Sequence, residues 1–580
     1  MSPEAHYIGV DVGTGSARAS LIKKDGTVVA SHLEDTLTFR DAQDHRIFEQ
    51  STTNIWSAIA TSIKKCLQES QVPASAVKGL GFDATCSLAV TDLGGGPITV
   101  TKGSTLGQHG DQNIILWADH RAEEEADIIN KTGSVVLNYV GGTMSLEMEV
   151  PKILWLKRRM DPSLFSRCQF FDLPDYLTYR ATSDSTRSTC SVTCKCSFLP
   201  EGGWQSDFFR AIGLGELQVH EYKQIGGHDG DVLIAGLPVS SGLSKKAAEE
   251  LGLEEGTPVG SALIDAYAGW LGTVAARYKE NGTLAKELPS VDESQRRLAV
   301  IAGTSTCHIV QSRDDHFVRG VWGPYKDPVF RGWWMNEGGQ SSTGQLIDFI
   351  LTTHPAYPQL VETAKAQGKD IHNVLDELLE SLKIENKVDS LTELTKDLHI
   401  YPDFHGNRSP IADPRMRGSI TGLEINDTLT DLARKYHATL EGIALQTRHI
   451  IEELNAKGHQ IQSIYMSGGQ ARNLSLMNLF ANSCNMPVVL PASDSNSVIL
   501  GAAMLGRLAA EATAGLDVSD EKQAEALWNV MVEMTPPGTR IVPSASEKEQ
   551  RILAAKYKIF RETIEIQKRW REEIEEAVKG

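Results

Sequence analysis

Two short turns hold residue types that could do chemistry on a phosphate: Asp11-Val12-Gly13-Thr14-Gly15-Ser16 near the start, and Ala302-Gly303-Thr304-Ser305-Thr306 half a chain later. Each lies between apolar runs, HYIGV and ARASLI around the first and RLAVI and CHIVQ around the second, so each reads as strand, tight turn, strand. Such a turn aims successive backbone N–H groups and hydroxyls into one concavity, a receptor for phosphate oxygens. Two of them point to one nucleotide held between two related domains; either alone reads equally well as an ordinary glycine-containing hairpin. Only the first carries an acid, Asp11, and a carboxylate beside a phosphate cradle suits hydrated Mg2+, which takes one or two carboxylates plus phosphate oxygens. That asymmetry fits ATP.

A second acid stands out in Gly260-Ser-Ala-Leu-Ile-Asp265-Ala-Tyr-Ala-Gly269, where an apolar run ends at Asp265 and a small-residue helix begins. The small residues let something approach closely. An acid there reads either as a helix cap or as a reactive carboxylate, and spacing leaves both open. No G-x-x-x-x-G-K-[ST] occurs and no H-R-D or D-F-G set, which argues against P-loop and protein-kinase machinery.

The elements that must position these residues alternate. HYIGVDV and ARASLI are strands; a helix starts near Thr52 with Ile55, Trp56, Ile59, Ile63 and Leu67 at helical spacing. GLGFDATCSLAV reads as one buried strand, and Pro151 opens a helix in PKILWLKRR. The polar stretch 281–297 reads as a surface linker between domains 1–285 and 298–545. The second half predicts a long amphipathic segment over 427–456, strand IQSIYMSGG, a helix from Leu474, strand PVVL and helix SVILGAAMLGRLAA. Residues 546–580 form a charged terminal helix expected to lie solvated on the surface.

A chain of 580 residues exceeds what one core usually supports, so two large domains with a cleft are expected. The net charge of -18 argues against a nucleic-acid surface. No apolar stretch approaches the roughly 20 residues that span a bilayer, and the N-terminus lacks a signal-like pattern, so a cytoplasmic protein with no membrane partner is expected. Eight cysteines in so long a chain predict reduced thiols; Cys190, Cys194 and Cys196 lack the spacing and histidine partner of a zinc set and read as packing residues.

The motifs together resemble the FGGY carbohydrate kinases, two-domain sugar kinases of the actin-like ATPase superfamily, from about residue 7 to residue 512. DVGTGS is similar to the first phosphate motif and AGTST to the second; HGNRSPIADPRMRGSITGL (405–423) to one family signature, and Ser467-Gly468-Gly469-Gln470-Ala471-Arg472-Asn473 to the adenine-side signature, with Ser467 where many members carry glycine. GFDATCSL, LWADHRA, YVGGTMSLEMEVPK, NEGGQS and DFHGNRSP look most like the pentulose-kinase branch, above all the eukaryotic FGGY domain-containing proteins that phosphorylate D-ribulose. The resemblance implies an α/β fold of two actin-like (ribonuclease H-like) domains flanking a catalytic cleft. It implies ATP and Mg2+ as cofactors and a pentulose or pentitol as substrate.

By the same resemblance Asp265 is the general base, ionised at neutral pH as an ordinary aspartate, and Asp11 holds Mg2+ through water. Gly13, Thr14, Gly15, Ser16, Gly303, Thr304 and Ser305 hold phosphates, and Gly344, Gly469 and Asn473 border the adenosine. Lys195 and Glu337 give the sugar a donor and an acceptor, with Trp117, Asp119 and Arg121 as a stacking and hydrogen-bonding edge of that pocket and Thr85 and Glu147 beside it. Taken as residues alone, Trp117 reads as core and Asp119 with Arg121 as a surface ion pair. D-ribulose is the substrate expected first, ribitol or L-ribulose the runners-up, and a non-catalytic sugar sensor the competing class. A homodimer is left open.

Overall fold

The computed structural model describes residues 4–226, 232–280, 283–284, 287–492 and 496–579. Two mixed sheets form its frame. The first contains β1 (His6–Val12), β2 (Ser16–Lys23), β3 (Val28–Asp35), β4 (Val77–Ala84) and β5 (Leu263–Ile264) in the order β5-β4-β1-β2-β3. The second contains β6 (Arg297–Ala302), β7 (Thr306–Ser312), β8 (Trp322–Lys326), β9 (Trp334–Gln340), β10 (Ser463–Ser467), β11 (Val488–Leu490) and β12 (Thr539–Ile541), ordered β8-β9-β7-β6-β10-β11-β12.

The pairing repeats. β1 and β2 form an antiparallel hairpin with β4 and β5 added in parallel on the β1 side, and β6 and β7 form the same hairpin with β10 and β11 added in parallel. The two Gly-Thr turns close the two hairpins: Gly13 donates its N–H to Ser16 O and Gly303 to Ser305 O, both at 2.9 Å. β1 is apolar on both faces because it is central and covered on both sides.

Helix α1 (Thr52–Ser70) starts where Ser51 Oγ accepts the Asn54 N–H, and it buries Ile55, Trp56, Ile59 and Ile63. The run expected as one strand divides: β4 stops at Ala84, the Thr85 N–H bonds Val12 O, and Leu88–Asp92 enters a separate antiparallel sheet between Ile114–Ile115 and Cys168–Asp172. Helix α2 (Glu149–Arg159) begins two residues before Pro151, which sits in its first turn, where no intrahelical N–H is required. Helix α3 (Thr189–Cys194) ends at Lys195, and α4 (Asp265–Leu271) follows β5 directly.

In the second half lie α5 (Gly344–Thr352), α6 (Leu429–Ala456), α7 (Leu474–Cys484) and α8 (Ser497–Thr513). α8 belongs to the later half of the chain yet packs on β1 and β4. An added Cβ on Gly9, Gly79 or Gly81 would run into the α8 backbone at Ile499, Gly506 or Ala502. Gly272 and Gly501 likewise let α4 and α8 touch backbone to backbone, which is the close approach expected around Asp265. The first sheet is therefore closed by a segment more than two hundred residues past the expected linker. Of that linker, residues 281, 282, 285 and 286 lie outside the described residues. From Pro289 on it runs over the surface, with Ser290, Asp292, Glu293 and Arg296 exposed, and is pinned at two points: Pro289 O accepts the Trp528 indole N–H at 2.7 Å and Ser294 is buried.

The terminal helix α9 (Glu547–Lys579) is docked rather than merely solvated. Leu553, Tyr557, Phe560 and Ile564 are buried, and Lys556, 4% exposed, reaches the buried Glu441 carboxylate on α6 and Thr395 O. Burial cost is met by the opposite charge and by hydrogen bonds to the ammonium. Among the described residues no helix is long and apolar enough to cross a membrane.

Candidate active site

The acids converge at the carboxyl ends of three parallel strands, where open α/β sheets bind ligands. Asp11 on β1 stands opposite Asp83 on β4, β5 pairs Leu263 with Asp83, and Asp265 follows β5 by one residue. Asp265 Oδ1 accepts the Ala266 N–H at 2.7 Å. Burial and the nearby Asp11 push Asp265 up to about 7, against the weaker pull of that N–H and of Lys195. It is not the ordinary aspartate the sequence suggested. Burial also raises Asp11, with Arg18 across the hairpin acting in the opposite direction. Asp83, fully buried, is held well above the carboxylate range by burial and by Asp11 and Asp265, and among the described residues it faces no donor other than the Asp11 carboxyl.

Both turns face open space. A Cβ on Gly13 or Gly303 would meet nothing closer than 3.9 Å, and on Gly15 nothing within 4 Å. Thr14, Gly15, Gly303 and Thr304 are exposed, with Ser16 and Ser305 half-buried. Thr304 O accepts the Thr343 and Gln345 N–H groups at 3.0 and 3.3 Å, bringing Gly344 against Gly303. Gln470 bridges Gly303 O and Thr343 Oγ1 from the neighbouring signature, where Gly469 has nothing within 4 Å of its Cβ position. Asn473 is engaged as a cap: its Oδ1 accepts the Leu476 N–H at 3.0 Å and its Nδ2 donates to Tyr436 Oη at 2.8 Å.

Lys195 and Glu337, whose charges both reach Asp265, are each 2% exposed. Lys195 Nζ lies over the Trp322 ring at 4.5 Å. Burial opposes its charge, but the surrounding Cys86, Glu337 and Glu147 outweigh that and hold it well above the ordinary lysine value. Glu337 accepts from Arg408 Nη2, and Arg408 Cζ is 4.0 Å from the centre of the same Trp322 ring. Thr85 is buried with its hydroxyl 3.1 Å from Ser87 Oγ, and Glu147 is half-buried.

Trp117 is half-buried and its indole N–H donates to Thr14 Oγ1 at 3.0 Å, so its edge touches the phosphate turn. Two expectations change. Asp119 and Arg121 form neither a pocket edge nor a surface pair. Asp119 is fully buried and takes both Arg121 Nη2 (2.7 Å) and the Phe48 N–H (2.7 Å), while Arg121 also reaches Glu49 at 2.9 Å and Val100 O. Their polar atoms are spent inside the protein, bracing the turn just after Ile114–Ile115 that carries Trp117. Asp83, Trp322, Arg408 and Gln470 escaped the sequence reading. A lone acid inside the apolar GFDATCSL run was the available signal for Asp83, and the position of Arg408 inside the 405–423 signature for Arg408.

Duplicated hairpins, paired Gly-Thr turns and acids at adjoining strand ends define a phosphotransferase with the two-domain sugar-kinase fold. A xylulose kinase structure from Rhodospirillum rubrum shares that fold at 19% identity, with a TM-score of 0.73 over 97% of this chain and 99% of that one. Residues 6–272 match the N-terminal domain, and residues 298–510 the C-terminal domain, of the FGGY family of carbohydrate kinases, and the chain belongs to that family. It is 45% identical over 527 residues to a D-ribulokinase of Saccharomyces cerevisiae, covering 88% of this chain and 72% of that protein. It is 40% identical to the human FGGY carbohydrate kinase domain-containing protein, covering 98% of each. The protein is a carbohydrate kinase with ATP as phosphoryl donor.

Proposed function

We propose that this kinase phosphorylates a pentulose, converting D-ribulose to D-ribulose 5-phosphate, in a cleft between residues 1–285 and 298–545, the second of which lends α8 to the first sheet. The observation that supports the reading is that Asp265 lies beyond the strand next to Asp83 and Asp11 and is close enough to Asp11, Lys195 and Glu337 to feel the charge of all three. The similarity to the yeast D-ribulokinase supports the choice of sugar.

Lys195 donates to, and Glu337 accepts from, hydroxyls of the bound sugar, which leaves the wrong epimer with unpaired buried groups. That hold brings the terminal hydroxyl to Asp265. Asp265, deprotonated, takes the hydroxyl proton as the oxygen attacks the γ-phosphorus in line and the β–γ bridging oxygen leaves with ADP. Its raised pKa makes it a better proton acceptor than an ordinary aspartate. The Gly13–Ser16 and Gly303–Ser305 turns present N–H groups and hydroxyls to the phosphates, with Gly344 and Gly469 beside the adenosine and Asn473 shaping that wall through its cap. The Asp11 carboxylate, opposite Asp83 on the neighbouring strand, suits hydrated Mg2+, which would supply charge neutralisation on the phosphates.

The test is ATP consumption by the purified protein with Mg2+ against D-ribulose, L-ribulose, D-xylulose, L-xylulose, ribitol and glycerol, each beside Asp265→Asn. Selective turnover of D-ribulose that Asp265→Asn abolishes is the expected result. Preference for L-ribulose or ribitol would replace the substrate, and ATP binding without turnover of any polyol would favour a sensor.

A further inference from the structure

Arg408, its side chain 9% exposed, stands where the sugar-side groups meet. Its Nη2 donates to Glu337, its Nη1 lies 3.5 Å from Cys307 Sγ, and its guanidinium covers the Trp322 ring that Lys195 also covers. Gly339 leaves room for it, since a Cβ there would come 2.8 Å from Arg408 Cδ. A planar fork held on a ring and a carboxylate fixes orientation in a way a flexible ammonium does not.

What holds Arg408 is a loop tied to the terminal helix. The Asn407 N–H bonds Asp413 O at 3.0 Å, and Asn407 Oδ1 accepts the Ile411 N–H at 2.9 Å, so residues 407–413 form a closed turn. Ser409 Oγ anchors that turn on Gly320 O at 2.8 Å. On its far side Asp413 Oδ2 accepts Arg571 Nη2 of α9 at 2.6 Å, Gln567 bonds both the N–H and the O of Arg417, and Met416 packs with Tyr557 and Phe560. The family match ends at residue 510, so α9 lies outside it.

We propose that Arg408 is a positioning residue of the sugar pocket, orienting the Glu337 carboxylate, and that the terminal helix sets its place through the Arg571–Asp413 contact. The proposal rests on the assignment of Glu337 and Lys195 to the sugar. The helix is then a strap that reaches the pocket from outside: it touches no substrate, yet decides how firmly the C-terminal side grips the sugar.

The experiment is steady-state kinetics with D-ribulose and ATP on the full chain, with melting temperatures recorded for each variant. Arg408→Met should raise the D-ribulose KM roughly 30-fold, as expected for a lost hydrogen bond to a charged group, with the ATP KM within about twofold of wild type. Arg408→Lys should recover only part of that. Arg571→Asp and Asp413→Arg should each raise the D-ribulose KM several-fold, and the double exchange should restore it, a rescue that general destabilisation does not produce. Equal effects on both KM values, or an unchanged D-ribulose KM in Arg408→Met or Arg571→Asp, would overturn the proposal. Glu337→Gln separates the two readings: if it leaves the D-ribulose KM unchanged, the pocket assignment itself falls; if it raises it while Arg408→Met does not, only the role of Arg408 falls.

Discussion

The indole N–H of Trp117 and the hydroxyl of Thr14 are joined by a 3.0 Å hydrogen bond across 103 residues of sequence. The residue expected to stack on the sugar also braces the turn that faces the phosphates. Trp117→Phe, which keeps the ring and removes the donor, should raise the ATP KM by about 3- to 10-fold, the range of one neutral hydrogen bond, and change the D-ribulose KM less. The reverse ordering in initial-rate kinetics would return Trp117 to the sugar.

Asp265→Asn removes the proton acceptor and keeps the shape. Turnover should fall by roughly 100- to 10,000-fold with ATP affinity preserved, measured by single-turnover kinetics and nucleotide titration. Retained turnover would sink the base assignment.

Because Asp265 is pushed up to about 7, kcat/KM for the sugar should rise with pH through about 7 and then level, since only the deprotonated form accepts a proton. Stability runs the other way. In the pH range between the ordinary carboxylate value and about 7, the folded protein keeps a proton on Asp265 that the unfolded chain has lost, so the contribution of this group falls as pH rises. Asp265→Asn should therefore lose less stability than wild type between about pH 5 and pH 8. Initial rates across this range check the first sign, and urea titrations at its two ends the second.

Lys556 and Glu441 dock the terminal helix as a buried pair. Removing one partner leaves an unpaired buried charge, so Lys556→Met should destabilise the protein by about 3–5 kcal/mol, whereas Lys556→Met with Glu441→Gln should recover a good part of it. Chemical denaturation of the single and double variants reads the difference, and equal losses in both would show that the unpaired Glu441 charge is not what destabilises the single variant.

The parts of the site that were legible in the sequence are those whose chemistry is local. A Gly-Thr turn between apolar strands shows its hairpin in the order of its residues, and both turns fold as the pattern requires. The spacing of Ile55, Trp56, Ile59 and Ile63 likewise defines α1 without help from elsewhere. GFDATCSLAV misled because an apolar run carries no mark of which sheet it joins; the break at Thr85 is set by a hydrogen bond to Val12 and so depends on β1.

Composition, periodicity and the ordered motifs of this chain determined by themselves the two hairpins, the succession of strands and helices, and membership of a sugar-kinase family. Only the tertiary structure decided which charges meet. Asp11, Asp83 and Asp265 are far apart in sequence and become neighbours through parallel pairing, and that proximity with burial is what shifts Asp265. Asp119 and Arg121 were fixed as a buried pair by the strand of Phe48, and Arg408 reached Glu337 because α9 and the 407–413 turn hold it there. Electrostatic energy depends on distance and on exclusion of water, and neither is encoded in the spacing of residues along a chain.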